Sequence, residues 1–267
     1  MDITETKDLK RIFWHYLWSS ILISLSSSIA TIIDGIIVGH LIGEAGVSAI
    51  NLTTPMLQFM MTLSLILAAG AGILLGFALG NGNMPRVRNI FTLSMGGSLA
   101  VGLLFTSAGI FCNDTMTGYL CQDSALFSYT SDYLRIILIG APTFMLMWAI
   151  STLIGVDGSP RLASIALIID NIVNLCLDIV FIRVFDMGIA GSSLATVVGH
   201  IVGIAIMCSH FYGKKNNLYL THKIDFRESG SIVSQGAPLA IASICLTLLL
   251  LSANHILCVR YRLFFLP

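Results

Sequence analysis

The sequence predicts an all-α membrane protein, and three observations carry that prediction. Of 267 residues, 14 are Lys or Arg and 14 are Asp or Glu, so 10% are charged, while 56% are hydrophobic and the mean hydropathy is +0.89. A soluble domain carries about 25% charged residues, so this chain lacks the polar side chains to cover a soluble core of its size. Seven apolar stretches each approach the ~20 residues that cross a ~30 Å hydrocarbon layer as a helix. The formal net charge is zero, which excludes the basic footprint of a nucleic-acid partner.

In chain order the stretches are 13–39, 47–79, 90–111, 133–155, 162–184, 189–212 and 236–258. The first follows a polar tail, 1–12, that carries Asp2, Glu5 and Asp8. It is too long for a signal-peptide core and has no small-residue cleavage pattern, so it reads as a retained helix. The second is long enough to tilt or to run past the membrane. Runs such as 201–207 and 244–251 are continuously apolar. A membrane barrel needs alternating segments of roughly ten residues, so these runs select helices.

Short cytoplasmic loops collect Lys and Arg. Lys7, Lys10, Arg11, Arg86, Arg88, Arg161, Lys214, Lys215, Lys223 and Arg227 fall on one side; on the other, Arg135 and Arg183 sit only at helix ends. The N-terminus is therefore expected in the cytoplasm, with the chain multi-pass in the plasma membrane. Cys176, Cys208, Cys245 and Cys258 lie in apolar runs as small hydrophobes. Cys112 and Cys121 flank the longest outer loop, 112–130, where a disulfide is one alternative and free thiols the other.

No nucleophile elbow, paired-His metal motif or P-loop is present, so neither an enzyme nor a transition-metal site is expected, and no cofactor. Gly70-Ala-Gly72-Ile-Leu-Leu-Gly76 has the wrong final spacing for a dinucleotide fingerprint and lies inside a membrane helix. Gly72, Gly76 and Gly80, four apart, instead form one face for close helix packing. His15, His40, His200, His210, His222 and His255 are scattered, mostly toward helix ends, where an interfacial role is expected.

Three acids fall within the apolar stretches: Asp34, Asp170 and Asp178. A mid-membrane carboxylate costs ~2.5–3.5 kcal/mol on insertion scales. Asp34 lies nine residues before the first outer loop centre, near Gly43; Asp178 lies ten before the second, near Gly188, and Thr196 eight after it. At ~1.5 Å per residue all three sit ~12–15 Å inward, in one layer. The tight hairpin of the fifth and sixth helices sets Asp178 opposite Thr196. Asn174 and Asp170 stand one and two turns before Asp178 on nearly the same face, with Asn171 beside them. Carboxyl, amide and hydroxyl oxygens are the hard ligands a small cation accepts, and paired acids that share a proton suit proton coupling equally.

These residues also resemble a known family. Asp34-Gly-Ile-Ile-Val-Gly39, Leu41-Ile-Gly-Glu-Ala45 and Pro55 resemble the first helix and loop of the multidrug and toxic compound extrusion (MATE) family. Gly140-Ala-Pro142, Gly158-Ser-Pro-Arg161 and Asn174-Leu-Cys-Leu-Asp178 are similar to its fourth and fifth helices, and Met187-Gly-Ile-Ala-Gly-Ser-Ser-Leu-Ala-Thr196 to the entry of its sixth. The resemblance implies a MATE-like six-helix transporter lobe, 13–212, plus a seventh transmembrane helix. It implies a cytoplasmic linker, 213–235, and the first helix of an incomplete second lobe, 236–267. The implied activity is antiport: export of drugs or other organic cationic or amphipathic compounds in exchange for Na+ or H+. The implied coupling site is Asp34, Asn174, Asp178 and Thr196, with Asp170 and Asn171 as additional polar residues.

Two departures qualify the implication. Gly35 follows the first-helix Asp where many members carry a polar residue, which leaves Na+ and H+ both open. The family needs about twelve helices, so this chain is expected to be a truncated N-lobe, completed by a second lobe in trans or inactive alone. The partners expected are membrane lipid and a small-molecule substrate. A lipid-linked flippase of the same superfamily ranks lower, because its basic cavity is missing here. A membrane enzyme ranks lower still, because the acids lie inside the layer and not at a headgroup boundary.

Overall fold

The computed structural model describes the backbone of residues 3–121, 123–213 and 216–264, with side chains mainly over 13–249. Lys7, Lys10, Arg11, His15, Lys214, Lys215, His255, Cys258 and the end of the chain, 260–267, lie outside the described side chains. Among the described residues the chain is helical, with no strand. The helices are α1 (Ile3–Leu41), α2 (Glu44–Gly80), α3 (Met84–Phe111), α4 (Asn113–Leu120), α5 (Ser124–Ile139), α6 (Ala141–Val156), α7 (Pro160–Ile179), α8 (Gly188–Cys208) and α9 (Arg227–Phe264). Five of them contain a stretch long and apolar enough to cross a membrane, and α5 with α6 forms a sixth, bent span.

Local chemistry explains the breaks. Gly43 at φ 92° and Gly158 at φ 94° make turns that side-chain-bearing residues resist. Asn83 caps α3 by accepting from the Arg86 N–H at 3.2 Å, and Asp123 caps α5 by accepting from the Ala125 N–H at 2.9 Å. The fourth span departs from the expected 133–155: it starts at Ser124 and bends by 51° between α5 and α6. Pro142 has no N–H to continue the ladder, so the chain restarts as a new helix at Ala141. The expected outer loop 112–130 is correspondingly shorter, since it contains α4 and the start of α5. Cys112 and Cys121 stand at opposite ends of α4 as free thiols. Eight residues of helix span about 12 Å, beyond the ~7 Å limit between Cα atoms for a disulfide.

The helices enclose two apolar clusters. One, near the α2–α3 turn, contains Leu75, Ile90, Phe91, Met147, Leu153 and Met207. The other, toward the α1–α2 turn, contains Val38, Met60, Phe105, Leu134, Leu138 and Met145. Gly72 lies against Thr152 of α6, where a Cβ would come within 3.0 Å of the methyl, and a Cβ at Gly76 would meet Val156 at 3.7 Å. Around Gly80 nothing lies within 4 Å.

The tightest helix crossing is elsewhere. A Cβ on Gly70 would collide with the backbone carbonyl oxygen of Ile232, and one on Gly236 with that of Ile66. Here α2 and α9 touch backbone to backbone, at glycines on both sides. Above the crossing, Gln58 Nε2 donates to Ser243 Oγ at 3.1 Å.

The segment leading into α9 lies against the lobe. Asn89 Nδ2 donates to the Asp225 carbonyl at 3.1 Å, and the Asp225 N–H donates back to Asn89 Oδ1 at 2.9 Å. The Thr221 N–H donates to Thr92 Oγ1 at 2.9 Å, and Arg86 pairs with Glu228 at 2.9 Å. Asp157 holds the other end: it bonds His210 Nε2 at 2.8 Å and accepts from Asn217 N–H and Nδ2 at 3.0 and 2.9 Å. Leu218, only 2% exposed, is set into the first cluster. Helix α9 begins at Arg227, inside the expected linker.

The glycine crossing is testable. Gly70→Ala places a methyl on the Ile232 carbonyl, so α9 must move away from α2. Oxidative cross-linking of Gln58→Cys with Ser243→Cys is expected to be efficient in the parent chain and to fall several-fold when Gly70→Ala is added.

Candidate functional site

The polar residues expected from sequence converge where α1, α5, α7 and α8 meet. Helix α7 runs into a wider π turn, Val180–Val184, and the chain turns at Asp186 (φ 54°) and Gly188 (φ 57°) into α8. The two helices return antiparallel and pair along their length, with α1 against α7 and α5 against α8.

Asp178 is fully buried, and neither of its carboxylate oxygens has a hydrogen-bond partner. The side chains facing it are Asp34 of α1 and Ser192 of α8, near enough to interact but outside hydrogen-bond geometry. Asp34 is half-buried, and its Oδ1 is likewise buried without a partner. Tyr133 of α5, also buried, lies within electrostatic reach of both acids. One turn along α7, Asn174 Nδ2 donates to Thr196 Oγ1 at 3.1 Å, and the Thr196 hydroxyl donates to the Ser192 carbonyl at 3.2 Å.

The hairpin register therefore differs from the depth reading. Thr196 faces Asn174, and Asp178 faces Ser192. The π turn extends the α7 arm to Val184, which moves the hairpin centre back from Gly188 toward Phe185.

The two additional polar residues separate. Asn171 turns toward α1, where its Nδ2 donates to Ser26 Oγ at 3.2 Å. Asp170 is buried two turns from Asp178, with its Oδ2 4.0 Å from His200 Nε2. His200 is mid-helix, not at a helix end, and its side chain is 13% exposed. Sequence reasoning missed Ser192, Tyr133 and this role of His200. The hairpin register would have found Ser192 and His200; nothing in the sequence marks Tyr133.

The chemistry of the outer cluster is one-sided. An amide hydrogen of Asn174 and the hydroxyl hydrogen of Thr196 are both directed within the hairpin. Three of the carboxylate oxygens of Asp34 and Asp178 are buried acceptors without donors. Burying an unpaired carboxylate is costly, and a small cation or a proton is what such a set of oxygens lacks. Among the described residues no cluster of three or more His, Cys, Asp or Glu is placed to hold a metal.

A helical membrane lobe with acids and amides buried between its helices fits half of a transporter. The profile of the MatE family matches residues 19–180, more than half of the chain, and the chain belongs to that family, the MATE efflux transporters. It is 25% identical over 193 residues to the multidrug export protein MepA of Staphylococcus saprophyticus, covering 71% of this chain and 43% of that protein. It is 23% identical over 207 residues to MepA of Staphylococcus aureus strain MRSA252, covering 78% and 46%. The chain thus spans about half the length of these relatives. Its fold matches a MATE structure in the straight conformation with a TM-score of 0.81 at 19% identity, over 90% of this chain and 55% of that one. It also matches a MOP superfamily transporter from Pyrococcus furiosus, with a TM-score of 0.81 at 18% identity over 89% and 53%.

Two variants separate the acids from their hydrogen-bonded neighbours. Asp178→Asn removes an unpartnered buried charge and is expected to raise the melting temperature in detergent. Thr196→Val breaks the bond from Asn174 and is expected to lower stability by about 1 kcal/mol. Differential scanning fluorimetry checks both.

Proposed function

We propose that this chain is the N-terminal half of a cation-coupled secondary antiporter that exports drugs or other organic compounds. Asp34, Asn174, Asp178 and Thr196 bind the coupling ion, Na+ or H+. The observation that carries the reading is the group of three buried carboxylate oxygens without donors on two facing acids. Empty, two carboxylates repel each other in a medium of low polarity; a bound cation removes that repulsion and lets α1 seat against the α7–α8 hairpin. Binding thereby favours one arrangement of the lobe over another, which is the requirement for coupling an ion to alternating access.

The second lobe is supplied either by a longer chain or in trans. The apolar side chains that α1 presents outward, among them Trp18, Leu22, Leu25, Ile29, Ile32 and Ile36, meet either that lobe or membrane lipid. The chain is multi-pass in the plasma membrane with its N-terminus in the cytoplasm; the side bearing Arg86, Arg88, Arg161, Lys223 and Arg227 supports that orientation.

The test is ion binding by the purified chain and efflux by a transporter completed with a second lobe. Sodium coupling predicts that the parent chain melts at rising temperature as Na+ is added, by about 1.4 kcal/mol of stabilisation at tenfold excess over Kd. Proton coupling predicts no sodium effect and proton release on alkalinisation. In either case Asp34→Asn and Asp178→Asn are expected to abolish the ion response and gradient-driven efflux with expression intact. Unchanged efflux in both variants overturns the assignment.

A further inference from the structure

We propose that Asp170 and His200 form a second, inner proton-binding station, joined to the outer acids by a polar ladder along the α7–α8 hairpin. Its part in transport rests on the antiport reading above; its proton binding does not.

The ladder follows from the hairpin register. Stepping four residues back along α7 and four forward along α8, the facing pairs are Asp178 with Ser192, Asn174 with Thr196, and Asp170 with His200. Successive rungs lie about 6 Å apart. All three are polar on both sides, whereas chance polar residues in membrane helices have no reason to match across a hairpin. The next position is apolar, Ala166 and Ile204, both within the first cluster. The ladder therefore ends at Asp170 and His200.

The inner rung is built to hold the acid in place. A Cβ at Gly199 would come within 2.6 Å of Asp170 Oδ1, and one at Gly203 within 3.3 Å of Asp170 Cβ. Glycine at both positions lets the carboxyl lie against the α8 backbone. Phe144 of α6 sets its ring edge-on to the His200 imidazole, with centroids 5.4 Å apart, and Met147 packs against Gly203. Helix α6 contains no ionisable residue. On α1, between Leu17 and Leu41, the ionisable groups are Asp34 and His40; Asp34 belongs to the outer rung and His40 lies in the last turn. On α5 the ionisable groups are Tyr129, Asp132, Tyr133 and Arg135, of which Tyr133 belongs with the outer acids. Asp157 and His210 are bonded to each other at the far end of the bundle.

Asp170 and His200 are thus ionisable neighbours across the hairpin, 4.0 Å apart. With no proton to share, the pair is a carboxylate beside a neutral imidazole and carries one negative charge. One added proton makes it neutral, whether the hydrogen sits on the carboxyl oxygen or on the ring nitrogen as imidazolium beside carboxylate. In a hydrocarbon surrounding, that single proton is the difference between a costly and a tolerable state. At 4.0 Å the two groups are too far apart for a direct hydrogen bond, so a modest approach of α7 to α8 closes the pair around its proton. With one carboxylate and one imidazole, the rung has too few ligands for a metal ion.

The experiment is an infrared pH titration of the purified 267-residue chain in lipid nanodiscs without sodium, following the protonated-carboxyl band. Two classes of titrating carboxyl are expected. Asp170→Asn removes one class and leaves the other. The double variant Asp34→Asn, Asp178→Asn does the reverse and keeps the Asp170 band. His200→Gln, which keeps the acid and approximates the ring's size, retains the Asp170 band but moves its midpoint. Circular dichroism of each variant checks that helical content is unchanged. Identical titrations for the parent chain and Asp170→Asn overturn the proposal, as does an unmoved midpoint in His200→Gln. Failure of the outer cation site shows separately, as an ion response that survives Asp34→Asn and Asp178→Asn.

Discussion

A carboxylate whose oxygens have no hydrogen-bond partner, held inside a layer that contains no water, is the constraint on which the arrangement of this lobe depends. Hydrocarbon cannot satisfy polar groups, so the backbone must be helical across the layer and polar side chains need a partner within the protein. The pairing of Asn174 with Thr196, and of Asn171 with Ser26, meets that demand with neutral groups. Asp178 and Asp34 do not meet it. Both belong to helices that pack against each other, α1 against α7. A local departure from the rules that fold the rest is where a functional site is looked for.

Much of this was legible in the sequence, for reasons that differ by feature. The apolar runs gave five of the spans and part of a sixth because their lengths match the layer, and Asp34, Asn174, Asp178 and Thr196 stood out because such residues are expensive there. Counting residues from the turns placed Asp34, Asp178 and Thr196 at one depth, but it assumed an ideal helix. The π turn at Val180–Val184 changed which residue faces which, so Ser192 and not Thr196 meets Asp178. The bend at Gly140 was signalled by Pro142, yet a hydropathy window averages across it. Tyr133 was invisible, because an aromatic near the start of an apolar run has no reason to be singled out until α5 is seen against α8. Gly70 illustrates the same limit. Its spacing from Gly72 and Gly76 belongs to no face pattern, and only its partner Gly236, far along the chain, gives it meaning.

Both ends of the bundle combine apolar packing with directional bonds. Toward the α1–α2 turn, Leu134, Leu138 and Met145 are buried among Val38 and Phe105, and Asn113 of α4 donates to Ser131 Oγ of α5 at 2.7 Å. Near the α2–α3 turn the helices are tied by directional bonds as well: Asp157 accepts three, and Asn89 and Asp225 exchange two.

That segment before α9 has a consequence for dissecting the molecule. Residues between Asn216 and Ile232 follow the sixth span and look like a tether between halves, yet Leu218 and Ile232 are as buried as any core residue. A cut placed at Gly213, where hydropathy suggests a natural seam, would leave a greasy socket open on the first half and strand its plug on the second. The packed segment continues into α9, where Gly236 rests on α2, so a cut that keeps socket and plug together falls beyond that crossing.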